Sequence, residues 1–322
     1  MQKMISKNKK KILIIKHGAF GDFILSFGPF AAIKKQHLRD HLVLLTTKTF
    51  IDFARESNYF DEIIVDNRSS IWNLKATYKL GKLLRKQNFS RIYDLQTSDR
   101  TNFYHNFFRM KNYTEWSGTA LGCSHPDRNS NKNKIHTIER HKQQLAIIGI
   151  KNIKMSDLSW VKTGKDFKIE KPYILICPGA SPHRPRKRWP EKCYAEIAKK
   201  FLRKDIKPVI VGKLQDAEIA NFICMNATGS INLVNQTTIQ DLCCLAKGSN
   251  LAIGNDTGPM HIFAMNGCHS LVLFSKDSDP IKCAPRSTNI RKLVKIIQEK
   301  DLRKLSIERV INSLLNDFGY DL

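Results

Sequence analysis

A glycine-rich loop with one acidic residue follows the first apolar run of the sequence. The run Ile12–Lys16 has the composition of a buried strand, and Gly18, Gly21 and Asp22 come directly after it. Small residues here let the backbone turn tightly and leave room for a ligand. The spacing is not the G-x-G-x-x-G of dinucleotide sites, and a carboxylate beside a pyrophosphate would repel it, which disfavours a dehydrogenase. Asp22 is therefore either the N-cap of the next helix or a carboxylate with a chemical role.

A stiff cationic loop follows another apolar run, Tyr173–Cys177. The sequence PGAS comes first, and the stretch 182–190 then contains three prolines and four cations. Several cations beside the carboxyl end of a strand suit a phosphate group. For any single one of them, an ordinary solvated turn is the alternative. The four cations are Arg184, Arg186, Lys187 and Arg188.

A third loop combines an acid with a helix start. The strand predicted at Leu251–Gly254 is followed by the sequence NDTGPMH. Pro259 has the backbone angle of a helix, and Gly258 permits close approach to the backbone. The amides of Thr257 and Gly258 would then point outward at the positive end of a helix, which predicts an anion site. The structural alternatives are Thr257 as an ordinary cap and His261 as a histidine on the helix surface.

Strands that alternate with helices must position these loops. Such alternation predicts parallel sheets covered on both faces, hence an α/β fold. We expect two Rossmann-like domains, residues 1–165 and 166–322, that face a central cleft and divide within the irregular segment Asp157–Lys171. The closing stretch Ile290–Leu315 is predicted to be helical. The predicted strands are Ile12–Lys16, Leu42–Thr46, Ile63–Asp66, Ile92–Leu95, Tyr173–Cys177, Pro208–Gly212, Leu251–Gly254 and Ser270–Phe274.

Composition restricts the partners of the chain. It has 54 Lys plus Arg against 29 Asp plus Glu, a net charge of +25, which suits nucleic acid, an anionic membrane face or a small polyanionic substrate. A genome of low GC content enriches Lys and Asn too, and explains part of this charge without any partner. With 42% hydrophobic residues the chain is not a disordered basic tail.

The cysteine and apolar patterns predict the compartment. The eight cysteines contain no C-x-x-C pair, which disfavours a zinc site or disulfide framework and favours a reducing compartment. No apolar run approaches the roughly 18 residues that a membrane span needs. We therefore expect a cytoplasmic protein, in solution or on a membrane surface.

Taken together, the loops resemble glycosyltransferase family 9, the bacterial lipopolysaccharide heptosyltransferases of GT-B fold. The matching pieces lie in the family's order and at its spacing, and they span most of the chain. The likeness depends above all on Lys-x-Trp-Pro followed by Asp-Thr-Gly-x-x-His. The pieces are IIKHGAFGD at 14–22, YDLQ at 93–96, PGAS at 178–181, KRWP at 187–190 and NDTGPMH at 255–261.

The resemblance implies a role for each matched residue. Asp22 would be the general base, and Lys187 would grip the donor diphosphate. Asp256 would hydrogen-bond hydroxyls of the donor sugar, while the amides of the next two residues bind the diphosphate and the histidine of the motif supports that loop. The implied donor-binding residues are Ser181, Lys187, Asp216, Asp256, Thr257, Gly258 and His261, and the implied acceptor-binding residues are Gly21, Gln96 and Arg100.

The resemblance also implies a reaction. The expected reaction transfers a sugar, with heptose from ADP-heptose as the first choice, to a lipopolysaccharide core or lipid-linked glycan, with inversion at the anomeric carbon and without a metal or other cofactor. Family members hold the donor ribose with an acid after the second strand of the C-terminal domain, where Asp216 and Glu218 both fit. Ser181 and the proline-rich arginine loop replace the family's usual threonine-bearing stretch, a departure that bears on the identity of the donor sugar.

An anionic lipid-linked saccharide as acceptor implies attachment to the inner face of the inner membrane, with Arg100 and the loop 129–134 as candidate contacts. One alternative is a transferase of the same fold with another ADP-, GDP- or UDP-linked sugar. A basic nucleic-acid binder is the other, although no nucleic acid is expected as a partner. Such a binder would need aromatic residues among its cations. The nearest match to that pattern is Tyr104, Phe107, Phe108 and Arg109.

Overall fold

The structure is a computed structural model that describes residues 9–109, 114–132, 134–155, 158–289 and 291–322. Within these ranges the chain forms two parallel sheets of six strands each, and helices connect successive strands. This arrangement confirms the predicted α/β class. The chain divides into two compact units. The first comprises Met1–Ala19 and Leu25–Met155, and the second comprises Phe20–Ile24 and Ser156–Leu322.

The sheet of the first unit has the strand order β3-β2-β1-β4-β5-β6. Its central strands are buried on both faces, so their sequences are nearly continuous apolar runs. The order reverses between β1 and β4, and ligands of doubly wound folds bind at such a reversal. The strands are β1 Lys11–Ile15, β2 His41–Thr46, β3 Glu62–Val65, β4 Arg91–Asp94, β5 Glu115–Gly118 and β6 His125–Pro126. The α-helices are α1 Phe20–Leu25, α2 Phe27–Gln36, α3 Ile51–Glu56, α4 Leu74–Lys86, α5 Asp99–Tyr104 and α6 Thr137–Ala146.

The sheet of the second unit repeats this arrangement, with the order β12-β11-β10-β7-β8-β9. Here the reversal falls between β10 and β7, so the loops after these two strands lie side by side. The strands are β7 Tyr173–Cys177, β8 Lys207–Ile210, β9 Ile231–Asn232, β10 Leu251–Asn255, β11 His269–Phe274 and β12 Val294–Gln298. The α-helices are α7 Glu191–Leu202, α8 Ala217–Asn226, α9 Ile239–Gly248, α10 Gly258–Met265, α11 Pro280–Cys283 and α12 Ile307–Phe318.

Helix α12 completes the core of the second unit. Its buried residues Val310 and Leu314 belong to the same apolar cluster as Ile197 and Phe201 of α7. The helix begins at the cap Ser306, whose hydroxyl accepts a hydrogen bond from the Arg309 amide, and ends at a left-handed glycine. None of the described helices combines the length and the hydropathy that a bilayer crossing requires.

One local prediction is wrong, and one of the alternatives left open is excluded. The stretch predicted to be helical at Ile290–Leu315 contains strand β12, which pairs in parallel with β11, before α12 begins; residue 290 itself lies outside the described residues. The residues VKIIQ of β12 form a strand because they can pair with β11 at the edge of the sheet. The pattern of apolar residues along the sequence does not reveal this pairing partner. Asp22 is not an N-cap either, because it lies inside the first turn of α1.

Candidate functional site

Asn255, the last residue of β10, organises the loops at the carboxyl ends of the central strands in the second unit. Its Oδ1 accepts hydrogen bonds from the Tyr194 hydroxyl at 2.9 Å and the Trp189 amide at 3.3 Å, and its Nδ2 donates to the Pro178 carbonyl at 2.7 Å. The side chain is fully buried. One amide group thus ties β10 to the loop after β7 and to the start of α7.

Lys187 and Asp256 form a buried ion pair at this edge. Lys187 ends a short 3-10 turn, and its Nζ donates to Asp256 Oδ2 at 2.5 Å. The Ser278 hydroxyl donates to the same oxygen at 2.6 Å. An ammonium carries three donors, so the contact with Asp256 does not exhaust its capacity. The pair thus holds an ammonium and a carboxylate side by side in a region with little water.

The start of α10 lies beside this pair. Thr257 occupies the N-cap position, but its hydroxyl donates to the Asn255 carbonyl at 3.2 Å and makes no cap bond to the helix. The interpretation of Thr257 as an ordinary side-chain cap is therefore wrong. Gly258 begins the helix, and Pro259 in the first turn has no amide proton. The first turn presents the positive end of the helix dipole beside Asp256.

Asp216 carries a buried oxygen with unused hydrogen-bonding capacity. It ends a 3-10 turn after β8, and its Oδ2 accepts from the Lys213 amide at 3.0 Å. Its Oδ1 is buried and has no hydrogen-bond partner among the described residues. A Cβ at Gly179 would collide with this carboxyl, so the glycine permits the close approach. Glu218, by contrast, is exposed on α8. Buried oxygens such as Oδ1 of Asp216 normally accept a hydrogen bond, and a hydroxyl of a bound ligand could donate it.

The segment Phe20–Ile24 belongs to the second unit and packs on α10. The ring of Phe20 fills the space that a side chain at Gly258 would need, and a Cβ at Gly21 would lie 2.6 Å from Nε2 of His261. Gly21, predicted to bind an acceptor, is thus placed against this histidine.

His261 is buried, which rules out a histidine on the helix surface. Burial lowers the pKa of His261, while the charges of Asp256 and Asp22 oppose this shift. Its Nδ1 has no hydrogen-bond partner among the described residues. The imidazole is therefore neutral near pH 7, and Asp22, Asp256 and His261 share one electrostatic environment.

The first unit has its own polar cluster where β1 and β4 end. The His17 amide donates to Oε1 of Gln96 at 3.0 Å. Asp94 Oδ1 accepts from the amides of Gln96 at 3.0 Å and Thr97 at 2.9 Å. Burial raises the pKa of Asp94 to about 6, although these amides lower it. Gln96 thus positions the loop after β1, besides any contact with a ligand.

Asp66, which directly follows β3, also belongs to this cluster. His17 Nε2 lies 3.1 Å from Asp66 Oδ2, and the Tyr104 hydroxyl donates to the same oxygen at 2.6 Å. Burial would raise the pKa of Asp66, but hydrogen bonds from His17, Tyr104 and the Arg68 amide outweigh it and lower the pKa to about 2. Arg100 Nη1 donates to the Tyr104 hydroxyl at 3.2 Å. A pocket of about 190 Å³ opens beside Asp66, Tyr104 and Arg100.

The structure brings most of the predicted site residues together in the second unit. Ser181 is exposed, unlike the buried side chains of the site, and Gln96 and Arg100 lie in the first unit. The predicted loop 129–134 includes residue 133, which lies outside the described residues. Within the described ranges, no group of three or more His, Cys, Asp and Glu side chains is arranged to hold a metal ion. The residues brought together are Gly21, Asp22, Lys187, Asp216, Asp256, Thr257, Gly258 and His261.

Sequence reasoning missed three residues of this site. Asn255 received no role, although a polar residue that ends a buried strand beside a motif is a usable signal. Ser278 has no local signal, because it lies 22 residues from Asp256 along the chain. Cys283 interacts electrostatically with Asp256, Lys187 and Asp22. Its pKa is raised to about 12, mainly by burial and secondly by the negative charge of Asp256.

Comparison with known proteins gives consistent matches. The family model described as glycosyltransferase family 9 (heptosyltransferase) matches residues 77–311. Lipooligosaccharide heptosyltransferase 2 of Haemophilus ducreyi is 26% identical over 302 residues, which cover 86% of each chain. Lipopolysaccharide heptosyltransferase 2 of Salmonella typhimurium is 25% identical over 279 residues, 79% of each chain.

Solved structures share the fold. The structure of E. coli ADP-heptose lps heptosyltransferase II matches with a TM-score of 0.75 and 20% identity, over 96% of this chain and 100% of the other. E. coli heptosyltransferase WaaC with ADP matches with a TM-score of 0.77 and 14% identity, over the same shares. These likenesses confirm the predicted GT-B fold.

Proposed function

The chain belongs to glycosyltransferase family 9, the heptosyltransferases, and from this premise we propose that it transfers heptose from ADP-heptose to a lipopolysaccharide core or similar lipid-linked glycan. The predicted family and the predicted enzyme class, a glycosyltransferase, are both confirmed. The proposal adds inversion at the anomeric carbon, independence of metal ions and the roles of individual residues.

The observation that supports this donor is the arrangement at the carboxyl ends of β7, β8 and β10. A buried ammonium, Lys187, lies beside the positive end of α10, and both would stabilise a diphosphate. Asp216 supplies a buried acceptor for the ribose hydroxyls, and its burial favours it over Glu218. Asp256, placed between Lys187 and Ser278, would accept hydrogen bonds from the sugar.

The proposed mechanism is a single displacement. Asp22 takes the proton of the acceptor hydroxyl, and the oxygen then bonds to the anomeric carbon. The bond from that carbon to the diphosphate breaks, and ADP leaves with the electron pair. Lys187 and the start of α10 meet the negative charge that develops on the leaving group. Attack opposite the leaving group inverts the configuration, and no step needs a metal ion.

The acceptor side of the proposal concerns residues 1–165, which comprise the first unit together with Phe20–Ile24 and a short stretch of the second unit. We assign acceptor binding to residues 1–165 and nucleotide-sugar binding to residues 166–322. Arg100 and Gln96 border the polar cluster of the first unit, and a lipid-linked acceptor places the enzyme on the inner face of the inner membrane. Of the aromatic residues that suggested a nucleic-acid binder, Tyr104 and Phe108 are buried in the core, so the pattern is not a base-stacking surface.

A thermal-shift series with ADP, GDP, UDP and ADP-heptose tests the function. At a hundredfold excess over Kd, ADP and ADP-heptose should raise the Tm by about 5 °C, with or without EDTA. A larger rise with GDP or UDP would support a transferase with another donor. Salt-sensitive binding of single-stranded nucleic acid, with no response to any nucleotide, would contradict the proposal.

Replacing Asp216 with Asn should weaken ADP binding about tenfold, because the ribose loses hydrogen bonds to a charged acceptor. The change keeps an oxygen for the Lys213 amide. Titration with ADP and with 2′,3′-dideoxy-ADP separates the role: the wild type should discriminate between the two ligands, and the variant should not. Glu218→Gln, an exposed acid two residues away, is the matched control and should bind as wild type. Equal discrimination in Asp216→Asn would show that the ribose is held elsewhere.

A further inference from the structure

Helix α4 of the first unit presents large apolar side chains to solvent. Trp72, just before the helix, is 83% exposed, and Leu74 and Tyr78 are 75% and 64% exposed. Such a cluster within seven residues is unusual on a water-facing surface and marks an interaction site. The α4 surface is defined here as Trp72, Leu74, Lys75, Tyr78, Lys79 and Lys82.

These side chains do not belong to the core. Leu84 and Gly81 are buried, and Leu80 packs against the core cluster, so this face attaches α4 to the unit. Leu74 and Tyr78 lie four residues apart along the edge of this face, and both are largely exposed; Lys82 follows another four residues on. Leu74 and Tyr78 therefore form an exposed apolar strip, and the packing of α4 against the unit does not depend on them.

The charge of α4 indicates what this strip contacts. The thirteen residues LKATYKLGKLLRK include five cations and no acid. No carboxylate among the described residues pairs with Lys75, Lys79 or Lys82. Lysines that surround exposed Trp, Tyr and Leu side chains match a bilayer surface, where aromatic rings lie at headgroup level and ammonium groups reach the lipid phosphates.

We propose that the α4 surface docks on an anionic lipid bilayer, with Trp72, Leu74 and Tyr78 at headgroup depth and the three lysines on lipid phosphates. This inference rests on the proposed function only in that a lipid-linked acceptor requires contact with a membrane. It differs from the contact expected at Arg100, whose guanidinium donates to the Ser69 carbonyl at 2.8 Å.

The position of α4 also connects docking to the acceptor. Lys79, Leu80 and Leu83 form one wall of the pocket whose other walls include Arg100 and Tyr104. An acceptor anchored in a bilayer against α4 would therefore present its saccharide next to this pocket. Docking would hold the acceptor near its binding residues and raise its local concentration.

Vesicle binding by the full chain tests the proposal. Vesicles with 30% phosphatidylglycerol in phosphatidylcholine should bind the wild type at low salt, and pure phosphatidylcholine should not. The variant Trp72→Ser with Leu74→Ser and Tyr78→Ser should partition at least about tenfold less. Lys75→Gln with Lys79→Gln should lose about as much, since each lysine contributes about fivefold. All these residues are exposed, so Tm should stay near that of the wild type.

Tryptophan emission gives a second, local readout. Trp116 and Trp189 are buried and Trp160 is partly covered, so a blue shift on vesicle binding reports Trp72. Trp72→Phe should abolish the shift while sedimentation with vesicles persists. Leu38→Ser with Leu121→Ser removes two other exposed apolar side chains of the first unit and should bind as wild type.

Four outcomes overturn the inference. The first is a triple serine variant that binds vesicles as well as wild type, and the second is an unchanged emission of Trp72. The third is self-association of lipid-free protein that the serine variant abolishes, which would identify a second copy as the occupant. The fourth is a wild-type protein that does not bind vesicles but still transfers sugar to a detergent-solubilised acceptor. This result would contradict docking and leave the proposed function intact. Vesicle binding without transfer from any nucleotide sugar would instead sink the proposed function.

Discussion

Replacing Asp22 with Asn is expected to slow sugar transfer by about a hundredfold or more, while the fold and donor binding survive. Asn has the same shape but cannot take the proton of the acceptor hydroxyl. The structure removes the helix-cap explanation, because Asp22 lies inside the first turn of α1. Its charge there contributes only about 0.3–1 kcal/mol through the helix dipole, so Tm should change little.

A matched control separates catalysis from the helix dipole. Asp52 lies in the first turn of α3, which like α1 has six residues, and its side chain is exposed. Asp52→Asn should leave turnover unchanged. Donor affinity in Asp22→Asn should stay the same or tighten, because a negative charge near the diphosphate is lost. Near-normal turnover in Asp22→Asn, with donor and acceptor identified, would leave the reaction without a candidate base.

Replacing Lys187 with Ala should raise the Kd for ADP by about 10- to 150-fold, the equivalent of about 1.5–3 kcal/mol for a charge-assisted contact with phosphate. The variant should also lose stability. Asp256 would remain buried without its cation, and breaking a buried pair costs about 3–5 kcal/mol. The two effects are read separately, by titration with ADP below the lowered Tm and by thermal unfolding without ligand.

Two variants make this result specific. Arg186→Ala removes an exposed cation from the same loop and should change the Kd by less than about threefold, since its contact with a ligand would be screened. Ser278→Ala removes the other hydrogen bond to Asp256 but keeps the ammonium, so it should cost stability and little ADP affinity. If Lys187→Ala stays within about twofold of the wild-type Kd, a contact of this strength is absent and the loop has another role.

The α/β class was predictable because the central strands are buried on both faces. The runs Leu42–Leu45 and Tyr173–Cys177 contain only hydrophobic residues, a pattern that neither an exposed loop nor an amphipathic helix would show. Strands β5 and β6 were not predictable, since EWSG and HP carry no such pattern. Their partners in the sheet supply the hydrogen bonds, and β12 depends on β11 in the same way.

The sequence alone determined the family and predicted a donor site, because glycines, prolines and charges at set spacings restrict what a loop can bind. Tertiary structure alone decided which groups meet and which are buried. It distinguished Asp216 from Glu218, buried His261, and showed Asn255 at the centre of three loops. Lys187 reaches Asp256 across 69 residues of chain. Burial and pairing are properties of such distant contacts, so no local pattern of residues encodes them.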